Sequence, residues 1–211
     1  MIKPAFSTVA CPDWTHEQVA DNARRLGFDA VELRTFGANS SRIACDPAMT
    51  SDEKVRDIFR SRGVSILSLA TSIAFDEAIS PPLVGRIFGD TERSVRAAKR
   101  SIDLAVGIEC PVVRVFGFEI PARERRASAI ARIVGRLGDA LDHARNTGVK
   151  IVIENGGSFS RASELAELLD QVRQPLLGVC YSYAVGAAAD SRRAASGSRC
   201  ARWRATAGSS W

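Results

Sequence analysis

The chain has 211 residues, of which 45% are hydrophobic and 25% charged, a balance typical of one globular domain. The net charge is +5, but residues 184–211 hold five Arg and one Asp, so residues 1–183 carry only +1. This distribution argues against nucleic-acid binding, and no apolar run reaches the roughly 18 residues of a membrane span. Five cysteines without C-x-x-C spacing indicate reduced thiols and a cytoplasmic location.

One pattern recurs along the chain: a helical stretch ends in glycine, and a short β-branched run follows at once. It occurs at Gly27, Gly63, Gly107 and Gly148, and glycine favours the left-handed turn that ends a helix. Strict alternation of strands and helices predicts a parallel sheet. In chain order we predict strands at 4–10, 29–34, 64–70, 111–117, 149–154 and 176–181, and helices at 16–26, 51–62, 91–106, 123–146 and 161–173.

The predicted helix starts carry capping residues. Residues 15–18 (THEQ) and 50–53 (TSDE) have the spacing of capping boxes, and Ser160 is suited to cap the last predicted helix. His16 lies in the first turn of the first helix, where we expect it to be solvated. His143 lies late in its helix, where an imidazolium suits the helix dipole, so neither histidine is expected to bind a metal.

Two parallel architectures compete. A doubly wound sheet normally carries a glycine-rich phosphate loop after its first strand, but ACPDWTHEQ follows the first strand here. A β/α barrel places polar residues at the C-terminal ends of its strands, as Glu32, Arg34 and Glu154 indicate. We therefore expect an α/β fold with about six of the eight units of a parallel barrel over residues 1–183, and a doubly wound binding protein is the less favoured alternative.

Residues 184–211 break the pattern. Of these 28 residues, 22 are Ala, Arg, Ser or Gly, and none is Leu, Ile, Phe or Met. Such a segment cannot supply a buried strand, so we expect an irregular, disordered tail. The composition favours the hypothesis of a C-terminally truncated barrel whose last codons are read in a shifted frame. Because an open barrel exposes two strand edges, a homo-oligomer is a further expectation.

Several charged residues are candidates for chemistry. A carboxylate on a buried strand is costly unless it is paired or binds a metal, so Glu154 is a candidate metal ligand or proton acceptor; the alternative is a loop cap or a pair with an arginine. Glu32 and Arg34 project to one side of their strand. Arg34 and Arg114 are each candidates to bind substrate or to form an internal ion pair. Asn155 either orients Glu154 or holds the following turn.

The segment FSTVACPDWTHEQVADNARRLGFDAVELR, together with IVIENGG and LLGVCYS, resembles the sugar phosphate isomerase/epimerase family of xylose isomerase-like TIM barrels. The resemblance covers about residues 4–183. It implies an isomerase or epimerase of small sugars or sugar phosphates that acts by proton transfer through an enediolate. It also implies a divalent metal (Mn, Mg or Co) at the C-terminal mouth of the barrel.

The same resemblance assigns roles to single residues. It implies that Glu154 is both a metal ligand and the catalytic base. The next ligand in the family is the Asp of a G-V-C-x-D-T motif, and Ser182 stands at that position in this sequence. The further His and Glu ligands of the family have no counterpart. A non-catalytic barrel fragment therefore remains an alternative to an active enzyme.

Overall fold

The fold is taken from a computed structural model that describes residues 4–35, 43, 50–77, 92–116 and 119–192. The described strands are β1 Ala5–Ser7, β2 Ala30–Arg34, β3 Ser65–Ala70, β4 Val112–Val115, β5 Lys150–Glu154 and β6 Leu177–Cys180. The helices with determined bounds are α1 His16–Leu26, α2 Asp52–Ser61, α3 Arg93–Gly107, α4 Arg126–Ala144 and α5 Ala162–Val172, and a short 3-10 helix, Thr8–Ala10, replaces the end of the first predicted strand. No helix among the described residues has both the length and the apolar character that a membrane span requires.

The six strands form one parallel sheet in the order β1-β2-β3-β4-β5-β6. Every crossover therefore moves one position in the same direction along the sheet. A doubly wound sheet reverses its direction at a switch point, and this sheet does not, so the doubly wound alternative is wrong. The order is that of consecutive units of a β/α barrel, which confirms the predicted fold class.

The two faces of the sheet have different environments. Val31 and Leu33 of β2 are fully buried in the core that also includes helix residues. Glu32 and Arg34 alternate with them and therefore project to the opposite face, which we call the inner face. Burial of the aliphatic side chains against the helices supplies the main hydrophobic stabilisation. The inner face carries charged side chains, among them Glu32 and Arg34, and borders a cavity.

One predicted capping box is confirmed, and the start of a second helix differs from the prediction by one residue. Thr15 Oγ1 accepts a hydrogen bond from Gln18 N at 3.3 Å, and Gln18 Oε1 accepts one from Thr15 N at 2.9 Å. The capping box predicted for α1 is thus confirmed. Helix α2 instead begins one residue later than predicted, because Ser51 rather than Thr50 is its N-cap and accepts from Lys54 N at 3.4 Å.

The predicted glycine turns are mostly present. Three of them have positive φ angles, namely Gly27 (79°), Gly63 (67°) and Gly148 (81°). Gly107 is different, because the left-handed residue after α3 is Glu109, with φ of 56°. Gly107 instead permits a close helix contact: a Cβ added there would lie 2.5 Å from Asp52 Oδ2.

Two predictions about residues at helix starts are wrong. His16 is buried, with 2% of its surface exposed, because α2 packs against α1 and brings Phe59 to 6.2 Å from the imidazole ring. Ser160 does not cap α5; its hydroxyl donates to Gly157 O at 2.8 Å. The N-cap of α5 is Arg161, whose main-chain N donates to Glu164 Oε2 at 3.0 Å.

The predicted irregular tail does not begin at residue 184. Residues 183–192 are helical, which follows from the strong helix propensity of their alanines. The Arg161 side chain joins this helical segment to the start of α5, because its Nε lies 2.9 Å from Asp190 Oδ1. The rest of the predicted tail, 193–211, lies outside the described residues.

Candidate functional site

The inner face of the sheet encloses a cavity of about 390 Å³. Its lining comes from all six strands, so residues far apart in the sequence meet there. The polar lining residues are Ser7 of β1, Glu32 of β2, Ser68 of β3, Arg114 of β4 and Cys180 of β6. Glu32 and Arg114 line this cavity, and Arg114 contacts a third predicted site residue, Glu154.

Arg114 joins two carboxylates from strands that are not neighbours. Its Nε lies 3.2 Å from Glu32 Oε2, and its Nη1 contacts Glu154 Oε2. The guanidinium also lies 5.2 Å from the centroid of the Phe116 ring, a distance suited to a cation–π contact. The three charged side chains are 12% (Arg114), 20% (Glu32) and 16% (Glu154) exposed, so solvent screens them only partly. We call them the charged cluster.

A β-bulge positions the hydroxyl that holds Glu32. Val31 pairs with Ile66, but Glu32 pairs with Ser68, so Leu67 is the extra residue between them. The shift places Ser68 rather than Leu67 beside Glu32. Ser68 Oγ then donates to Glu32 Oε2 at 2.8 Å. Sequence reasoning missed Ser68, since nothing in the alternation of β3 indicates the bulge.

Two further residues lie beside the charged cluster. Arg34 projects to the inner face but is exposed, and among the described residues no ion pair joins it to the cluster. Cys180 is the register partner of Glu154 and therefore projects to the same face. Burial raises the pKa of the Cys180 thiol, and the nearby Arg114 offsets part of that rise. The sequence signal for Cys180 was its place at the end of a predicted strand.

Asn155 holds the loops rather than the carboxylate before it. Its side chain is 2% exposed, and its Nδ2 donates to Ser160 O and Ser182 O, each at 3.0 Å. Its Oδ1 accepts from Ser182 N at 2.6 Å. Because both polar atoms of the amide bind main chain, Asn155 has the turn role and joins the β5–α5 loop to the end of β6.

The described residues do not supply a metal site. They contain no group of three or more His, Cys, Asp or Glu side chains placed to hold a metal ion. Divalent cations in proteins take four or more ligands, and here Glu32 and Glu154 are both paired with Arg114. The main chain of Ser182, at the predicted second ligand position, is bound to Asn155. This donor set does not fit a divalent metal.

The comparison with known families decides the relationship. The family described as the xylose isomerase-like TIM barrel matches residues 20–184, which is most of the chain. The chain belongs to this family. A search of curated protein sequences gives no match.

Solved structures share the fold of this family member. One is the probable 3-DHS dehydratase AsbF from Bacillus anthracis, with 13% identity, a TM-score of 0.66 and 85% of this chain covered. Others are an L-ribulose 3-epimerase (15%, TM-score 0.66, 86% covered) and an IOLI protein with a binding zinc atom (15%, TM-score 0.68, 84% covered). At these identities the likeness shows the fold alone. The matches cover 62%, 60% and 62% of those longer chains.

Proposed function

We propose that this chain acts in the isomerisation or epimerisation of small sugars or sugar phosphates, with Glu154 as the group that moves the proton. The observation that carries the proposal is the position of Glu154: its carboxylate ends β5, is shielded from solvent and contacts Arg114, which lines the inner-face cavity. Barrel enzymes carry their chemistry at the C-terminal strand ends. Family membership and the fold shared with an L-ribulose 3-epimerase support a carbohydrate substrate.

The charged cluster is suited to proton abstraction next to a carbonyl group. The Glu154 carboxylate takes the proton from that carbon, and the electron pair of the C–H bond forms an enediolate. The Arg114 guanidinium lies against both carboxylates. A substrate bound beside Glu154 is therefore also beside Arg114, which can donate to the developing oxyanion. Glu32 keeps hold of Arg114 when Glu154 turns to the substrate. Return of the proton to the neighbouring carbon, with the hydroxyl proton passing to the former carbonyl oxygen, gives the isomer. Protonation of the same carbon from its opposite face gives the epimer.

Arg34 is suited to bind a phosphate group. It lies two residues beyond Glu32, towards the C-terminal end of β2, and its side chain is exposed. A guanidinium binds phosphate oxygens in pairs. This position supports a sugar phosphate as one substrate. The predicted Mn, Mg or Co would need ligands from outside the described residues, so no step of this proposal passes through a metal.

A second candidate is a non-catalytic barrel protein. It is favoured by one observation, namely that both carboxylates of the charged cluster are in contact with Arg114. A carboxylate held in an ion pair is a weaker proton acceptor than a free one. On this candidate the charged cluster only stabilises the inner face. The predicted homo-oligomer stays a prediction under both candidates.

Hydrogen exchange into substrate separates the two candidates. The full chain is incubated with a panel of ketoses, aldoses and their phosphates in D₂O, and loss of the C–H signal next to the carbonyl is followed by NMR. We expect exchange with the wild type and a rate at least about a hundredfold lower for Glu154→Gln. The matched control is Glu124→Gln, because Glu124 is 20% exposed and paired with Arg132 but does not line the cavity.

The outcomes are distinct. Exchange at the wild-type rate in folded Glu154→Gln contradicts the role of Glu154. Absence of exchange with every compound in the folded wild type supports the non-catalytic candidate. Loss of exchange in Glu124→Gln as well indicates a general structural effect rather than a site effect.

A further inference from the structure

Two negative charges and one positive charge meet on the inner face. Glu32 and Glu154 bring two negative charges to one partly buried site, and Arg114 is the cation that pairs with both. Two carboxylates that are shielded from water repel each other and lose hydration. A cation between them therefore lowers this repulsion. Arg114 supplies that cation without any ligand from outside.

Arg114 also occupies the space in which another cation would have to bind. Its Nη1 contacts Glu154 Oε2, while its Nε and Nη2 lie 3.2 Å and 3.4 Å from Glu32 oxygens. A divalent ion bound to Glu154 would lie close to this guanidinium, and like charges at such a distance repel strongly. Arginine stays protonated over the whole physiological pH range, so loss of a proton cannot relieve the repulsion.

Contacts on two sides hold the Arg114 guanidinium. Ser68 Oγ donates to Glu32 Oε2 at 2.8 Å and so fixes the carboxylate that holds Arg114 Nε. Phe116 lies 5.2 Å from the guanidinium carbon and adds a cation–π contact. Arg114 is thus held in place by the Glu32 carboxylate and the Phe116 ring.

We infer that Arg114 is the resident cation of this barrel and excludes divalent metals from Glu154. The inference goes beyond the proposed activity, because it concerns which cation balances the site whether or not a sugar is turned over. Removing the positive charge while keeping the chain folded leaves two carboxylates without the cation that they share. Hard oxygen donors of this kind bind Mn²⁺.

Binding of Mn²⁺ to the full chain tests the inference. The free Mn²⁺ signal is followed by electron paramagnetic resonance, with circular dichroism to confirm that each variant is folded. We expect Arg114→Gln to bind Mn²⁺ at least about tenfold more tightly than the wild type, and the double variant Arg114→Gln/Glu154→Gln to lose that gain. Arg114→Lys keeps the charge and is expected to bind as weakly as the wild type.

Arg132→Gln is the matched control. Arg132 and Glu124 are as shielded as Arg114 and Glu32, with 12% and 20% of their side chains exposed, but they do not line the cavity. An equal gain of Mn²⁺ affinity in Arg132→Gln would overturn the inference, and so would no gain in folded Arg114→Gln. If Arg114→Gln does not fold, Mn²⁺ binding is compared between the wild type and Glu154→Gln. Binding by the wild type that is lost in Glu154→Gln refutes the inference, and equally weak binding by both proteins supports it.

Discussion

The loop junction held by Asn155 gives the sharpest test of the structure. Asn155→Ala removes three hydrogen bonds, two to the carbonyls of Ser160 and Ser182 at 3.0 Å and one from Ser182 N at 2.6 Å. Each such bond contributes about 1 kcal/mol net, and a buried main-chain group left without a partner costs about 1–3 kcal/mol. We therefore expect Asn155→Ala to lower the free energy of unfolding by about 3 kcal/mol, measured by urea denaturation.

The control is the same substitution within a helix. Asn22 is half-buried, and its side chain bonds only within α1, donating to Gln18 O at 2.8 Å and accepting from Arg25 Nη2 at 2.8 Å and Nε at 3.3 Å. Because neither partner is a buried main-chain group of another segment, Asn22→Ala is expected to cost less than about 1 kcal/mol. Hydrogen exchange adds a local readout, because the Ser182 amide should exchange faster in Asn155→Ala. A variant that unfolds at the wild-type urea concentration, with Ser182 still protected, refutes the bracing role.

Three further predictions test packing, thiol chemistry and charge. Gly107→Ala places a Cβ 2.5 Å from Asp52 Oδ2 and should cost about 1–3 kcal/mol of stability. Adding Asp52→Ala to the same chain should restore part of that stability in thermal melts. Absence of recovery would contradict the contact. Burial raises the pKa of Cys110 to about 11, so iodoacetamide at about pH 8 should label the exposed Cys180 before Cys110, as peptide mass mapping can show, and urea should remove the difference. Desolvation raises the pKa of Asp52, so the folded state binds this proton more tightly than the unfolded state. Stability should then fall as pH rises from the ordinary Asp value through the raised one, and Asp52→Asn should weaken that slope in urea titrations.

The fold was largely predictable because it depends on local patterns. The capping box at Thr15 and the left-handed turn at Gly27 lie within one or two turns of chain, and their physics does not need the rest of the molecule. The prediction for His16 was wrong because burial there depends on α2 packing over α1. The expected turn at Gly107 was wrong because a helix contact, rather than a turn, selects glycine there.

The candidate site was predictable only in part. Glu154 was recognised because a carboxylate at the end of an apolar strand is unusual in itself. Ser68 was missed because a bulge in β3 decides its register against β2. Asn155 had two equal interpretations, and only the contacts of its amide with Ser160 and Ser182 distinguish them.

The sequence by itself determined the alternating β/α order, the parallel sheet and the strand end that carries Glu154. The tertiary structure alone decided that Arg114 binds both Glu32 and Glu154. Arg114 lies 82 residues from Glu32 and on a strand that neighbours β5 but not β2. The energy of an ion pair depends on distance in space and on shielding from water, and both are properties of the folded sheet, which no local pattern contains.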